Sequence, residues 1–271
     1  MADVLRLAFL MDPIESITPY KDSTLAMMLA AQRKDWGKPV ELYVLQQADL
    51  QVRNGKVAMR VRRVEVADDN EQWFQWLEES HVEPAEFVDV VLMRKDPPFD
   101  IEYVTSTWLL ELAEQQGVLV VNKPQALRDC NEKAFIAQFP HCCTDTLISR
   151  SADDLRAFVA ELGDVILKPL DGMGGAGIFR VTANDPNLSV VLETLLHGGA
   201  TVMAQRYLPA IKDGDKRILM VDGEAVPYAL ARIPADGETR GNIAAGGRGV
   251  AQPLSDKDRW LAEQIGPELK A

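Results

Sequence analysis

Cysteine and histidine are scarce in this sequence, with three of each among 271 residues. Cys130, Cys142 and Cys143 include two neighbours and make no all-paired framework, which excludes a disulfide scaffold and fits a reducing cytoplasm. His81, His141 and His197 are scattered, so no zinc spacing and no histidine-based nucleophile arrangement is present. Long apolar runs are missing too. The N-terminal stretch is short, is interrupted by Arg6 and is followed by no small-residue cleavage site, so it reads as a first buried strand. Blocks of consecutive Lys and Arg are also absent. With 29 basic against 41 acidic side chains the net charge is −12, which disfavours nucleic acid and anionic membrane as partners. There is no internal repeat and no low-complexity tract. What is present, 47% apolar and 26% charged residues, is the composition of an ordinary globular protein of one large or two modest domains.

Short apolar runs alternate with amphipathic stretches, the pattern of an α/β protein. Strands are expected at 5–11, 41–45, 88–93 and 118–121. Helices are expected from a cap at Asp22 or Ser23 to Arg33, around Trp73, Phe74, Trp76 and Leu77, and over 103–116 up to Gly117. Asn54-Gly55 is a type I′ hairpin signal. To this point the chain reads as a parallel sheet with crossover helices. Past the strand at 88–93, Arg94, Lys95, Asp96 and Asp100 are displayed on a loop stiffened by Pro97-Pro98, beyond a strand's C-terminal end. From residue 123 the pattern changes. Helices at 131–139, 153–162 and 188–196 and strands near 147 and at 165–168, 178–181 and 201–204 are expected. Two further strands joined by Asp222-Gly223 suggest antiparallel sheet, and a helix at 256–269 closes the chain. The expected domains are 1–122, 123–200 and 201–271.

The most informative stretch is residues 165–181. Gly172, Gly174 and Gly177 match G-x-G-x-x-G by letters, but a dinucleotide fingerprint needs a helix after the third glycine, and Ile178-Phe179-Arg180-Val181 alternates like a strand. No Lys-Ser or Lys-Thr closes a Walker A loop. A strand, a glycine loop and a second strand remain, an arrangement that can lay backbone N–H groups over nucleotide phosphates. Lys168 ends the apolar run 165–167, where its ammonium meets either a phosphate or open solvent. Arg217 and Arg232 flank the Asp222-Gly223 turn on apolar strands and suit either a structural carboxylate or a transferred phosphoryl group. The glycine-rich segment 233–249 reads as a lid closing on an anionic substrate or as a plain linker.

Residues 11–14, 93–100, 121–125 with 127–133, 166–175, 208–217 and 237–248 together resemble bacterial glutathione synthetases, ATP-grasp ligases, over essentially the whole chain. The resemblance implies an α/β fold, α+β in its C-terminal half: an N-terminal parallel-sheet domain followed by an ATP-grasp fold that holds ATP between two antiparallel sheets. It implies joining of γ-glutamylcysteine to glycine through an acyl phosphate, with ATP and Mg²⁺, in a cytoplasmic homotetramer. By resemblance, Lys133 and Lys168 contact the nucleotide phosphates, and Gly172, Met173, Gly174 and Gly175 form the small phosphate loop. Gln205, Arg206, Tyr207 and Leu208 line the adenine pocket, and Asp215 reaches the nucleoside. Arg217 and Arg232 are the catalytic cations on the transferring phosphoryl group. Arg240, Gly241, Asn242, Gly246, Gly247 and Arg248 belong to the substrate lid.

One departure is expected. The family's metal ligands, an Asp, a Glu and an Asn, would lie beyond Ala271, so the ATP-grasp fold reads as truncated and no metal ligand is assigned within the chain. A 271-residue polypeptide would then be poorly soluble or inactive, or the sequence is incomplete as written, the reading preferred here. The rivals to glutathione synthesis are another ATP-grasp carboxylate–amine ligase and a nucleotide-binding module without turnover.

Overall fold

A computed structural model describes residues 4–172, 176–233 and 248–270. The chain divides into two compact units, Met1–Cys130 and Asn131–Ala271.

In the first unit, strand β1 (Leu5–Leu10) leads through helix α1 (Ser23–Arg33) to β2 (Val40–Leu45). Asp22 caps α1, its carboxylate accepting from Leu25 N at 2.7 Å, a cap of the kind that contributes about 1 kcal/mol. Strand β3 (Leu50–Arg53) turns at Asn54-Gly55 into β4 (Lys56–Val66). Positive φ at both turn residues, 51° and 77°, gives the type I′ geometry that the dipeptide signals. Then follow β5 (Phe74–Trp76), β6 (His81–Pro84), β7 (Val90–Met93), helix α2 (Ile101–Gln115), β8 (Leu119–Val121) and the short α3 (Pro124–Asp129). The sheet order is β3-β4-β2-β1-β7-β8. Strands β2, β1, β7 and β8 pair in parallel, whereas β4 runs antiparallel to β2, β3, β5 and β6. The sheet is therefore mixed rather than parallel throughout. Alternate residues of β1 enter opposite cores, Leu7 and Phe9 with α1, Ala8 and Leu10 with α2. Both faces are covered, which is why this strand reads as a continuous apolar run.

The helix expected around Trp73 to Leu77 is strand β5, with Val64 opposite Trp76 and Val66 opposite Phe74. Aromatic side chains suit a half-buried pleated surface, and here Trp73, Phe74 and Trp76 cover one of the two cores.

The second unit opens with two 3₁₀ turns, Ala134–Gln138 and Pro140–Cys142, in place of the single helix expected at 131–139. Asn131 Oδ1 accepts from the N–H groups of Lys133 and Ala134, a local turn that competes with the helical ladder, and Pro140 breaks the segment again. A four-stranded antiparallel sheet follows, in the order β11-β10-β12-β9. Its members are β9 (Thr146–Ser149), β10 (Asp164–Pro169), β11 (Phe179–Thr182) and β12 (Val202–Arg206), with helices α4 (Ala152–Leu162) and α5 (Leu188–Leu195) between them in sequence. Leu155 and Val159 of α4 and Leu192 and Leu195 of α5 bury Val165, Leu167, Val202 and Ala204 on one face. By the two-residue period of strands, Lys168, Gln205 and Thr146 belong to the other face.

The last sheet is β13 (Asp215–Val221), β14 (Glu224–Ile233) and β15 (Arg248–Pro253), with helix α6 (Asp256–Lys270) on one side. Gly266 of α6 meets the Asp222-Gly223 turn so closely that a Cβ on it would run into the Gly223 carbonyl oxygen. Ser255 and Asp258 bond reciprocally at the start of α6, and Lys216 of β13 donates to the same Asp258 carboxylate at 2.7 Å. Leu219, Val221, Tyr228 and Leu230 are exposed.

Candidate functional site

Lys168 lies at the end of β10, opposite Met203 of β12. Its ammonium donates to Gln205 Oε1 at 2.7 Å. Gln205 Nε2 in turn donates to Thr146 Oγ1 at 2.9 Å, and that hydroxyl donates to Thr144 O at 2.8 Å. The three side chains form one oriented chain on the face opposite the one that Val165, Leu167, Val202 and Ala204 bury against α4 and α5. Sequence reading singled out Lys168 and Gln205 but not Thr146, whose part depends on the register that sets it opposite Gln205.

Lys133 meets the stem of the glycine loop. Its side chain, 13% exposed, donates to Gly172 O and Glu132 Oε1, both at 2.6 Å, and approaches Leu170 O at 3.5 Å. Asn131 holds the same stem, with Nδ2 towards Leu170 O at 3.5 Å. Gly172 is needed there, since a Cβ would meet the Pro169 ring at 2.8 Å and Ala176 O at 3.3 Å. Burial, and then the Lys133 charge, hold the Lys168 ammonium below the ordinary lysine range. Two cations gathered with one exposed carboxylate are chemically suited to a polyanion that would relieve their repulsion.

Beyond Gln205 the expected adenine segment divides. Arg206 pairs with Asp145 at 2.7 Å, Leu208 is exposed, and Tyr207 is 7% exposed beneath the Arg180 guanidinium, 3.7 Å from its ring centre. The Tyr207 hydroxyl has no hydrogen-bond partner among the described residues.

On the three-stranded sheet Asp215 lies opposite Arg232 and Arg217 opposite Leu230. Arg232 grips Asp215 with two parallel hydrogen bonds, Nε to Oδ1 and Nη2 to Oδ2, each 2.6 Å. That fork keeps the Arg232 pKa above its ordinary value. Arg217 is exposed, makes no ion pair among the described residues, and shares the Asp215 and Arg232 face by strand period. Arg248 begins β15 and is exposed. Met173, Gly174, Gly175, Arg240, Gly241, Asn242, Gly246 and Gly247 lie outside the described residues.

Comparison with known proteins covers both units. Residues 5–128 match the family model "Prokaryotic glutathione synthetase, N-terminal domain", and residues 132–271 match "Prokaryotic glutathione synthetase, ATP-grasp domain". A glutathione synthetase of Pseudomonas syringae pv. tomato is 62% identical over 98% of this chain and 82% of its own length. Those of Pseudomonas aeruginosa and an Escherichia coli strain are 60% and 54% identical, each over 98% of this chain and 83% of the relative. Among solved structures, D-cycloserine synthetase DcsG superposes with a TM-score of 0.63 at 15% identity, covering 97% of this chain and 82% of that one. D-alanyl-alanine synthetase A of Vibrio cholerae gives 0.59 at 14%, covering 99% and 81%. These two share the fold alone. Two matched domains in family order, together with relatives more than half identical along nearly the whole sequence, place this chain in the prokaryotic glutathione synthetase family.

Proposed function

We propose that this chain joins γ-glutamylcysteine to glycine at the expense of ATP, giving glutathione, ADP and phosphate. The observation that carries the reading is the gathering of Lys133 and Lys168 at the stem of the glycine loop, in a chain 62% identical to a glutathione synthetase. The cysteinyl carboxylate attacks the γ-phosphorus, ADP leaves, and the neutral amine of glycine attacks the acyl carbon, losing a proton as phosphate departs. Lys133 and Lys168 hold the phosphates, with the backbone of Gly172, Met173, Gly174 and Gly175 laid over them. Gln205, Arg206, Tyr207 and Leu208 border the adenine and Asp215 the nucleoside. Arg217 and Arg232 take the charge that develops on the transferring phosphoryl group, the Arg232–Asp215 fork being the resting arrangement. Arg240, Gly241, Asn242, Gly246, Gly247 and Arg248 belong to the lid that keeps water from the acyl phosphate.

Magnesium, which the resemblance implies, would neutralise the triphosphate. Among the described residues no three His, Cys, Asp or Glu side chains are grouped to hold a cation. The cytoplasm, which the scarcity of cysteine suits, and a homotetramer, which the resemblance implies, complete the reading. No described helix is long and apolar enough to cross a membrane.

The test is a ligation assay with γ-glutamylcysteine, glycine, ATP and Mg²⁺. Glutathione and ADP should form in equal amounts. ATP that raises the melting temperature while no ADP appears, or ADP formed only with a different acid, overturns the proposal.

A further inference from the structure

Strand order in the first unit reverses at β1. The chain leaves β1 through α1 towards β2 and leaves β7 through α2 towards β8, with the two helices on opposite faces. In such a sheet the C-terminal ends of the two central strands open a crevice for ligands. Asp12 follows β1 there, and Arg94, Lys95 and Asp96 follow β7, the Arg94 N–H bonding Leu10 O at 2.7 Å.

The charges at this mouth are unevenly satisfied. Lys95 is neutralised, its ammonium 2.9 Å from Asp12 Oδ1 and bonded to Asp96 O at 2.7 Å, while Asp96 N donates to Asp12 Oδ2 at 3.1 Å. Arg94 is not. Its Nε donates to Thr24 Oγ1 at 3.1 Å and its Nη2 to Ser23 Oγ at 2.9 Å, two neutral hydroxyls in the first turn of α1. Those bonds use two of the five guanidinium N–H groups and orient the fork without cancelling its charge. The Asp96 carboxylate is exposed and makes no hydrogen bond or ion pair among the described residues. One oriented cation and one unpaired anion therefore stand two residues apart, beside Tyr103 and Phe99, whose rings lie 5.3 Å apart. The complement of such a pair is a zwitterion. An α-amino-acid head carries a carboxylate for Arg94 and an ammonium for Asp96 on a single carbon.

We infer that Arg94 and Asp96 form a recognition site for the free α-amino-acid head at the glutamyl end of the acyl substrate. The inference rests on the ligase reading above, which names that substrate. Glycine carries the same chemistry, so the test separates the two sources.

Calorimetry with the full chain would use γ-glutamylcysteine and two analogues, 4-aminobutyryl-cysteine without the α-carboxylate and glutaryl-cysteine without the α-ammonium. A charged hydrogen-bonded contact of this kind corresponds to roughly 10- to 100-fold in affinity. Each analogue should bind the wild type that much more weakly. In Arg94→Gln the carboxylate should cease to matter, while the ammonium still counts. In Asp96→Asn, an exposed position that leaves the fold intact, the ammonium should cease to matter. KM for glycine, read by ADP release, should stay unchanged in Asp96→Asn. Analogues that the variants discriminate as the wild type does, or a shift in the glycine KM instead, overturn the inference. Ligation by the wild type is scored separately, so loss of this site and loss of the ligase reading give different results.

Discussion

Lys168 shows how one residue acquires a task from its surroundings. A lysine ending an apolar strand is unremarkable until its ammonium is followed to Gln205, and Gln205 to Thr146. Burial and the Lys133 charge both disfavour its protonated form, and an arriving triphosphate reverses the second effect. Lys168→Met should therefore weaken ATP binding by roughly 10- to 100-fold, in line with loss of a charged hydrogen bond, without lowering the melting temperature of the free protein. Because the folded pKa is depressed, wild-type affinity should also fall as pH rises through the alkaline range, and the variant should lack that fall. Calorimetric titration with ATP across pH checks both, and unchanged affinity in Lys168→Met would show that the ammonium faces no phosphate.

Among the elements, α6 has the most clearly defined attachment. Lys216 and Ser255 hold the Asp258 carboxylate down to about 2, the hydrogen bond from Lys216 being the largest cause. A carboxylate depressed in the folded state contributes stability that is present above its ordinary value near 3.8 and is lost as pH falls through about 2. The seating of α6 on β13 and β14 should loosen over that window, and Asp258→Asn should lose the pH dependence while starting from lower stability. Thermal melts between pH 2 and about 6 decide this. The same scale explains what could be read without coordinates. Asp22 as a cap, Asn54-Gly55 as a turn and the alternation of Ile178 to Val181 are local signals, and their elements formed within a residue or two of expectation. Trp73 to Trp76 failed because aromatic residues serve a helix stripe or a pleated edge equally well, and only β4 decides between them. The helix expected from Asn131 failed to a side-chain oxygen that captured two N–H groups. Within the candidate site, Lys168 and Gln205 carry chemistry in their own letters. Thr146 and Asn131 do not, since each acts through a hydrogen bond to a residue about forty or more positions away, which no spacing rule encodes.

At the scale of the whole molecule, a net charge of −12 coexists with cations gathered at one loop stem, so attraction for a small anion is local and the distant field opposes polyanions. Connectivity has its own consequence. Strand β4 pairs with β2, β3, β5 and β6, and all four of its partnerships join segments near in sequence. The pairing of β1 with β7, Leu7 beside Val90, closes a far longer loop and becomes favourable only after that closure entropy has been met. The β3–β4 hairpin can therefore form early, while the centre of the sheet assembles late. Pulse-labelled hydrogen exchange during refolding should find the amides of Lys56 and Ala58, which face β3, protected before those of Val91 and Val120, and the reverse order would refute it. Newly synthesised chain thus spends its longest unprotected interval with the apolar strands β1 and β7 unpaired, making these central strands, rather than the long β4 meander, the point at which expression is most exposed to misassembly.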